Sequence, residues 1–283
     1  MTMRILLTAL LFLLSLPAPA QTGALERIRK TGVITLGYLD GAAPFSFVGE
    51  DKQPQGYSVA LCREIARGIG SQLKLAKLKS RWVQLTIQDR LEAVRDGRVD
   101  IECGTTTWTF ARQAMVDFSL ITFVDGGSIL ARRDSGAVRL GDFDGKRIAV
   151  ITKTTTEAAL RKGLEQRSIK AEQVHVSTRA EGLKLLEAAK VDGFASDRTT
   201  LIALAAESKS KASLRMLDED FSVEPYAFAL ARGDYEFRLA VNRVLAGLYR
   251  SGGIVGIYEH WLGRLGPPSA LLSATYFIQS ISE

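Results

Sequence analysis

The sequence predicts an α/β protein of two lobes, each built on a mostly parallel sheet flanked by helices. Three observations support this prediction. Short apolar strands alternate with amphipathic helices along the chain, which is typical of parallel α/β sheets. The chain has 283 residues, more than a single hydrophobic core usually holds. Two segments, near residues 124–127 and 223–226, have the composition of connections between lobes.

The first half of the chain contains the elements of one lobe. We expect strands over 32–38 and 81–85, further β structure over 73–78, and helices over 57–69 and 88–96. In the first of these helices the apolar residues fall on one stripe, which predicts that this face is buried.

The second half repeats the pattern, with a strand over 146–151 and helices over 155–164 and 181–189. Residues 98–105 and 190–197 can be aligned with each other. Each segment follows a predicted helix and begins with a basic residue and Val-Asp, and a short strand follows. The polar residue at the end of that strand is Thr105 in the first segment and Asp197 in the second. Such similarity also arises by chance between two βα units. Ligands bind at the carboxyl ends of strands in open α/β sheets, so both polar strand ends are candidate site positions.

The lobe boundaries are predicted from the two connecting segments. The first contains Gly126-Gly127, and paired glycines allow unusual backbone angles. After the second come a strand over 227–231 and helices over 235–251 and 254–262, which we expect to return to the first lobe. We therefore assign 21–125 and 223–283 to lobe 1 and 126–222 to lobe 2. The tail over 266–283 either packs on lobe 1 or frays.

The N-terminus predicts export. Arg4 precedes an apolar stretch over 5–16, and Ala18-Pro19-Ala20 predicts cleavage of a signal peptide, residues 1–20, before Gln21. The apolar stretch is shorter than the roughly 20 residues of a membrane-spanning helix, so we expect a soluble periplasmic protein. The net charge of +6 is dispersed, which argues against a nucleic-acid partner. We expect a monomer.

The two cysteines, Cys62 and Cys103, lie in a predicted helix and a predicted strand. They could pair in an oxidising compartment, but we expect two buried free thiols because no dense cysteine framework surrounds them. The two histidines, His175 and His260, have no metal-ligand spacing. We expect neither a metal nor another cofactor.

Hydroxyl-rich segments mark two candidate binding edges. Residues 104–109 carry four threonines at a strand end, and Arg112 follows within the next helix, where its guanidinium could grip a carboxylate with two hydrogen bonds. Thr109 as a helix cap with a solvated Arg112 is the structural alternative. Residues 154–157 form a second hydroxyl-rich helix start, which also fits a capping box. Asp197 could accept from an ammonium group or pair locally with Arg198.

Motifs of catalysis are absent from the sequence: there is no G-x-S-x-G, no Walker loop and no G-x-G-x-x-G. Asp100 and Glu102 could be taken for a carboxylate pair, but we expect them at an exposed end of the sheet. A binding protein is therefore favoured over an enzyme.

Taken together, these fragments resemble the periplasmic amino-acid-binding proteins of ABC importers, the family-3 extracellular solute-binding proteins. The resemblance covers about residues 25–268. Within the family, the sequence is most similar to the glutamate/aspartate-binding branch. It rests on the order and spacing of several segments: 32–37, 43–47, 56–58, Gln88-Asp89-Arg90, 98–107 with its Glu-Cys-Gly, Arg112, 117–119, 142–146 and 253–261.

The resemblance implies a type II periplasmic-binding-protein fold that closes on an amino acid through two hinge crossings. It implies a set of seven ligand-binding residues: Arg90, Thr105, Thr107, Arg112, Thr155, Arg179 and Asp197. In this set Arg112 holds the α-carboxylate with the help of the threonines, and Asp197 binds the α-ammonium. Arg90 binds a distal carboxylate. Arg179 stands where that branch has a histidine. Leu39 replaces a second arginine and Ile87 replaces a serine, so the side-chain pocket could have changed its ligand.

The implied function is capture of a polar or acidic L-amino acid and its delivery to an ABC permease. Two alternatives stay open. One is a periplasmic cyclohexadienyl (prephenate/arogenate) dehydratase on the same fold, which would need a general acid in the cleft. The other is a sensory ligand-binding protein, whose closed form is read by a receptor.

Overall fold

The computed structural model describes residues 23–282, so the predicted signal peptide and its cleavage site lie outside the described residues. The strands are β1 Val33–Leu39, β2 Phe47–Val48, β3 Pro54–Gln55, β4 Lys79–Leu85, β5 Ile101–Glu102, β6 Asp117–Arg132, β7 Arg147–Ile151, β8 Glu172–Val176, β9 Gly193–Asp197, β10 Leu214–Met216 and β11 Ser222–Leu230. The helices are α1 Ala24–Thr31, α2 Tyr57–Gln72, α3 Arg90–Arg95, α4 Phe110–Gln113, α5 Thr155–Gln166, α6 Arg179–Glu187, α7 Arg198–Glu207, α8 Tyr235–Ser251, α9 Gly253–Leu262 and α10 Ala270–Ile278.

The predicted α/β class and type II architecture are confirmed. The main sheet runs in the order β4-β1-β5-β11-β6-β9-β7-β8, with β10 paired to β6. At one end β1 is parallel to both β4 and β5, and at the other β7 is parallel to both β8 and β9. The antiparallel strands β6 and β11 lie between these two parallel groups. One expectation was wrong: residues 73–78 form a turn and loop rather than a strand.

The strands β6 and β11, which cross between the two parallel groups, are called the crossing strands. Two groups of core clusters lie on either side of them. One group is built from residues of the N-terminal part, of β11 and of the segment after it, around side chains such as Phe45, Tyr57 and Phe228. The other is built almost wholly from residues between 129 and 217, around Phe143 and Phe194. The 16-residue strand β6 contributes to both, because Phe123 packs in the first group and Ile129 in the second.

The crossing glycines serve close packing rather than unusual backbone angles, which corrects our expectation. Gly126 and Gly127 lie within β6 and have no positive φ. A Cβ at Gly126 would lie 2.4 Å from Asp220 Oδ2, and one at Gly127 would lie 2.3 Å from Ser222 Oγ. A side chain at either position would have to displace the side chain of Asp220 or Ser222, whereas glycine lets both approach the strand closely.

The expectation of free thiols was also wrong, because Cys62 and Cys103 form a disulfide that joins α2 to the end of β5. Their Cα atoms are 6.2 Å apart, within the range that a disulfide spans. Both residues are fully buried in the same core cluster. The sequence pattern showed that each cysteine faces the core, but it could not show that the two face each other.

Asp100 and Glu102 are buried, which contradicts their expected place at an exposed end. Asp100 accepts a 2.7 Å hydrogen bond from the main chain of Thr35 and pairs with Arg27.

The C-terminal tail packs on lobe 1 rather than fraying: α10 buries Leu272 and Tyr276 against the first core group. Across the described range 23–282, none of the helices is long and apolar enough to cross a membrane.

Candidate functional site

A cavity lies between the two groups of core clusters, at the carboxyl ends of β5 and β9. All seven sequence-predicted ligand-binding residues line it, together with other polar and apolar side chains: Arg90, Thr105, Thr107, Arg112, Thr155, Arg179, Asp197, Leu39, Ile87, Ile151, Thr154, Thr156, Ala195 and Ser196. The cavity volume is about 20 Å³, room for roughly one water molecule. The facing side chains therefore nearly fill the space between the two sides.

Strand ends and helix starts place these side chains. Thr105 follows the end of β5, Asp197 is the last residue of β9, and Thr155 is the first residue of α5. Helix starts leave unpaired main-chain N–H groups, which favour anions. Thr154 caps α5 by accepting from the main chain of Glu157. The Glu157 carboxylate accepts from the main-chain N–H of Lys153 rather than from that of Thr154, so only half of the expected capping box forms.

Arg112 is held beside Thr107. Its Nη1 donates a 2.8 Å hydrogen bond to the Thr107 carbonyl, and its main-chain N–H is capped by Thr109 at 3.2 Å. Only part of the structural alternative for this segment is found: Thr109 is the cap of α4, but Arg112 lines the cavity instead of being merely solvated. Burial lowers the pKa of Arg112, while the charge of Glu224 opposes that shift.

Arg90 lies at another side of the cavity and is 5% exposed. Its Nε donates a 2.7 Å hydrogen bond to Thr106 Oγ1, and its Nη1 donates to the Ile87 carbonyl. Burial, aided by the positive charge of Arg112, lowers the pKa of Arg90 to about 10. The guanidinium stays charged at neutral pH, and these neighbours fix its orientation.

Arg179 and Asp197 form an ion pair within the cavity wall. Arg179 Nη2 lies 3.3 Å from Asp197 Oδ2 and equally far from Thr105 Oγ1. The local pair of Asp197 with Arg198 that the sequence left open does not form, because Arg198 binds Asp220 at 2.5 Å. Arg179 Nε and Nη1 are buried without a hydrogen-bond partner among the described residues. Buried guanidinium donors of this kind favour an anionic acceptor.

Contacts across the cavity join residues from the two sides. Thr105 meets Arg179, the Thr107 and Thr155 hydroxyls are 3.1 Å apart, and Gln88 donates to the Ser177 carbonyl at 3.0 Å. Ile87, from the first side, packs against the core cluster of the second. The structure is therefore in a closed arrangement.

Two buried carboxylates near the cavity lie outside the predicted ligand-binding set: Glu224, which the sequence did not single out, and Glu102, which we expected at an exposed end of the sheet. Glu224 is 1% exposed and accepts hydrogen bonds from Thr107 and Thr155. Glu102 is fully buried, its two oxygens without a hydrogen-bond partner among the described residues. Burial raises the pKa of Glu102, and the charge of Arg90 opposes that rise. The Glu-Cys-Gly resemblance drew attention to the segment of Glu102, whereas Glu224 carried no signal beyond its place in a crossing.

A further network ties the two crossing strands to α7. Asp125 on β6 accepts a 3.0 Å hydrogen bond from Thr199 Oγ1 and a 3.2 Å bond from the Tyr226 hydroxyl on β11. Burial, together with the nearby charge of Asp197, raises the pKa of Asp125 to about 7. The junction between the strands thus contains an acid that is easily protonated.

Residues 34–264 match the family model of bacterial extracellular solute-binding proteins, family 3. The chain is 32% identical over 262 residues to the L-glutamate/L-aspartate-binding protein of Pseudomonas aeruginosa, covering 92% of this chain and 87% of that protein. It is 26% identical over 254 residues to the glutamate/aspartate import solute-binding protein of Escherichia coli, covering 90% and 84%.

Among solved structures, it resembles an ancestral amino acid-binding protein described as a precursor of cyclohexadienyl dehydratase. The TM-score is 0.73 and the identity 25%, with 84% of this chain and 99% of that chain covered. The relatives found by sequence are binding proteins, so the prediction of a binding protein rather than an enzyme is confirmed. The matched range spans both core groups and the cavity between them, and the chain belongs to family 3 of the bacterial extracellular solute-binding proteins.

Proposed function

We propose that this protein captures an acidic or polar L-amino acid, of the glutamate/aspartate kind, by closure of its lobes. The observation that carries the proposal is the charge of the cavity wall. Three guanidinium groups, of Arg90, Arg112 and Arg179, line it with one carboxylate, that of Asp197, whereas the nearby carboxylates of Glu224 and Glu102 do not line the cavity. Glu224 is already bonded to threonine and serine hydroxyls. A buried ligand must have its charges met by hydrogen-bonded partners, and this surplus of cations favours a ligand with more than one carboxylate.

The roles follow from position and chemistry. Arg112, next to the threonine-rich segment, is assigned the α-carboxylate, and Asp197 is assigned the α-ammonium. Arg90 and the unpartnered N–H groups of Arg179 would meet the distal acid or amide. Thr105, Thr107 and Thr155 supply hydroxyls. Leu39, Ile87 and Ile151 supply apolar contacts for the methylene groups of the ligand, in keeping with the mixed character of small-molecule sites.

The setting of this function is part of the same proposal. The relatives in Pseudomonas aeruginosa and Escherichia coli are named for glutamate and aspartate, and the latter for import. We assign the protein to the periplasm after cleavage before Gln21, as a monomer that hands its ligand to an ABC permease. Lobe 1 would comprise 21–125 and 223–283, and lobe 2 would comprise 126–222.

The test is a binding panel on protein that has been unfolded, dialysed and refolded to remove carried-over ligand. L-glutamate, L-aspartate, their amides, L-arginine and prephenate are compared by thermal shift and then by calorimetry. A ligand at 100 times its Kd stabilises a protein by about 2.7 kcal/mol, which a thermal shift detects. Stabilisation by the acidic amino acids or their amides supports the proposal, and stabilisation by prephenate or arginine alone contradicts it.

Arg90→Ala tests the distal role, with Arg161→Ala as the control because Arg161 is exposed on α5. Losing a charge-assisted hydrogen bond costs about 1.5–3 kcal/mol, which corresponds to a roughly 10- to 100-fold weaker Kd. The control should bind like the parent. Unchanged affinity in the Arg90 variant would remove Arg90 from the site.

A further inference from the structure

We propose that Glu224, on the second crossing strand, is a positioning residue of the binding cavity that holds one hydroxyl from each side of the cleft. The inference concerns a residue outside the predicted ligand-binding set, and its consequence for affinity rests on the proposed function. Glu224 Oε2 accepts hydrogen bonds from Thr107 Oγ1 at 2.6 Å and from Thr155 Oγ1 at 2.7 Å. Both threonines line the cavity.

The Glu224 carboxylate is fixed before it meets these hydroxyls. It is 1% exposed, and its second oxygen accepts a 2.6 Å hydrogen bond from Ser222 Oγ on the same strand. A buried carboxylate without donors would be costly, and here each oxygen has at least one. The side chain therefore has one well-defined position, which is what a positioning residue requires.

The two threonines are attached to Glu224 in different ways. The segment of Thr107 is bonded to β11 by its main chain: Trp108 N–H donates to the Pro225 carbonyl at 2.7 Å, and Ala227 N–H donates to the Thr106 carbonyl at 3.0 Å. Thr107 and Glu224 thus belong to one rigid unit. Thr155 begins α5, on the other side of the cavity, and approaches this unit through its side chain.

Opening of the cleft consequently separates Thr155 from Glu224 while the bond to Thr107 persists. The Glu224–Thr155 hydrogen bond is charge-assisted, the stronger class of hydrogen bond. It stabilises the closed arrangement and holds both hydroxyls 3.1 Å apart at the cavity wall. The charge of Glu224 also opposes the lowering of the Arg112 pKa by burial. Arg112 Nη1 bonds to the Thr107 carbonyl and Glu224 to the Thr107 hydroxyl, so both hold Thr107 next to the assigned α-carboxylate site.

The test combines a double-mutant cycle with a measurement that needs no ligand. Glu224→Ala, Thr155→Val and the double variant are titrated with L-glutamate by calorimetry, and the ligand-free radius of gyration is measured by small-angle scattering. Glu224→Gln keeps an acceptor oxygen for both hydroxyls and guards against failure of the alanine variant to fold. Glu207→Gln, an exposed change of the same type, is the control.

We expect Glu224→Ala to weaken L-glutamate binding about tenfold, as for loss of a charge-assisted hydrogen bond, and to enlarge the ligand-free radius. The double variant should lose less than the product of the single losses, because both changes remove one contact. Glu224→Gln, which keeps an acceptor oxygen but loses the charge, should bind with an affinity between those of the parent and Glu224→Ala, and the control should match the parent. The proposal would be overturned if the two single losses of affinity multiplied in the double variant. It would also be overturned if Glu224→Ala folded and kept the affinity and the ligand-free radius of the parent. If the parent does not bind L-glutamate, the acidic ligand is wrong, and the ligand-free radius alone decides the role of Glu224.

Discussion

The Cys62–Cys103 disulfide is expected to be a major source of stability. It closes a loop across a sequence separation of 41 residues, from α2 to the end of β5. In the chain-entropy description, a cross-link over 41 residues lowers the entropy of the unfolded chain by about 13 cal/mol/K, or about 4 kcal/mol at 25 °C. Typical domains have 5–15 kcal/mol in total, so the bond would supply a large share.

The perturbation is the double variant Cys62→Ala/Cys103→Ala, compared with the parent in oxidised and reduced form. Both sulfurs are fully buried, so the parent must be reduced in denaturant and refolded in the presence of reductant before stability is measured. Urea unfolding followed by circular dichroism gives the free energy of unfolding from the midpoint and slope. We expect both altered forms to lose about 4 kcal/mol relative to the oxidised parent.

Treatment with reductant should leave the double alanine variant unchanged, which controls for other effects of the reagent. A loss below about 1 kcal/mol in both altered forms would refute the loop-closure reasoning, since that is the size of one ordinary hydrogen bond. A loss in the alanine variant alone would instead assign the effect to the missing sulfur contacts in the core.

Three further changes test the core and the crossing strands. The pKa of Asp125 is raised from the ordinary 3.8 to about 7. Between these pH values the folded state therefore binds more protons than the unfolded state. The contribution of Asp125 to the free energy of unfolding falls by up to about 4 kcal/mol as the pH rises from 4 to 7. Asp125→Asn should gain urea stability relative to the parent over that range, and a pH-independent difference would contradict this. Gly193→Ala places a Cβ 2.6 Å from Ile129 and should lower the free energy of unfolding by about 1–3 kcal/mol; an unchanged midpoint would show that the core can yield. Tyr276→Phe removes a buried hydroxyl that donates to a main-chain carbonyl, and calorimetric melting should show a loss of about 1 kcal/mol; no loss would mean that this hydroxyl adds no net stability to the packing of α10.

Local patterns were sufficient for the elements that position the site. Alternation of strands and helices, the hydroxyl-rich segments and the paired stretches ending at Thr105 and Asp197 predicted features that the structure brings to one cavity. These signals are local because a strand end or helix start is specified within a few residues. Partner choice across the chain was not predictable in this way: Cys62 meets Cys103, and Asp197 meets Arg179 rather than its neighbour Arg198.

The hydrogen bonds of Glu224 show where reasoning from the sequence stops. Within its own segment, Glu224 is one acidic residue before a proline, and its surroundings in the chain indicate a connection between lobes rather than a site. Its chemistry depends on two threonines 117 and 69 residues away, which reach it only when both crossings and the cleft have formed. The carboxylate is tolerated in the interior because those hydroxyls and Ser222 satisfy it. Glu224 is buried on a crossing strand by the same contacts that join it to both sides of the cleft. These contacts exist only in the closed fold, so no single stretch of sequence could predict them.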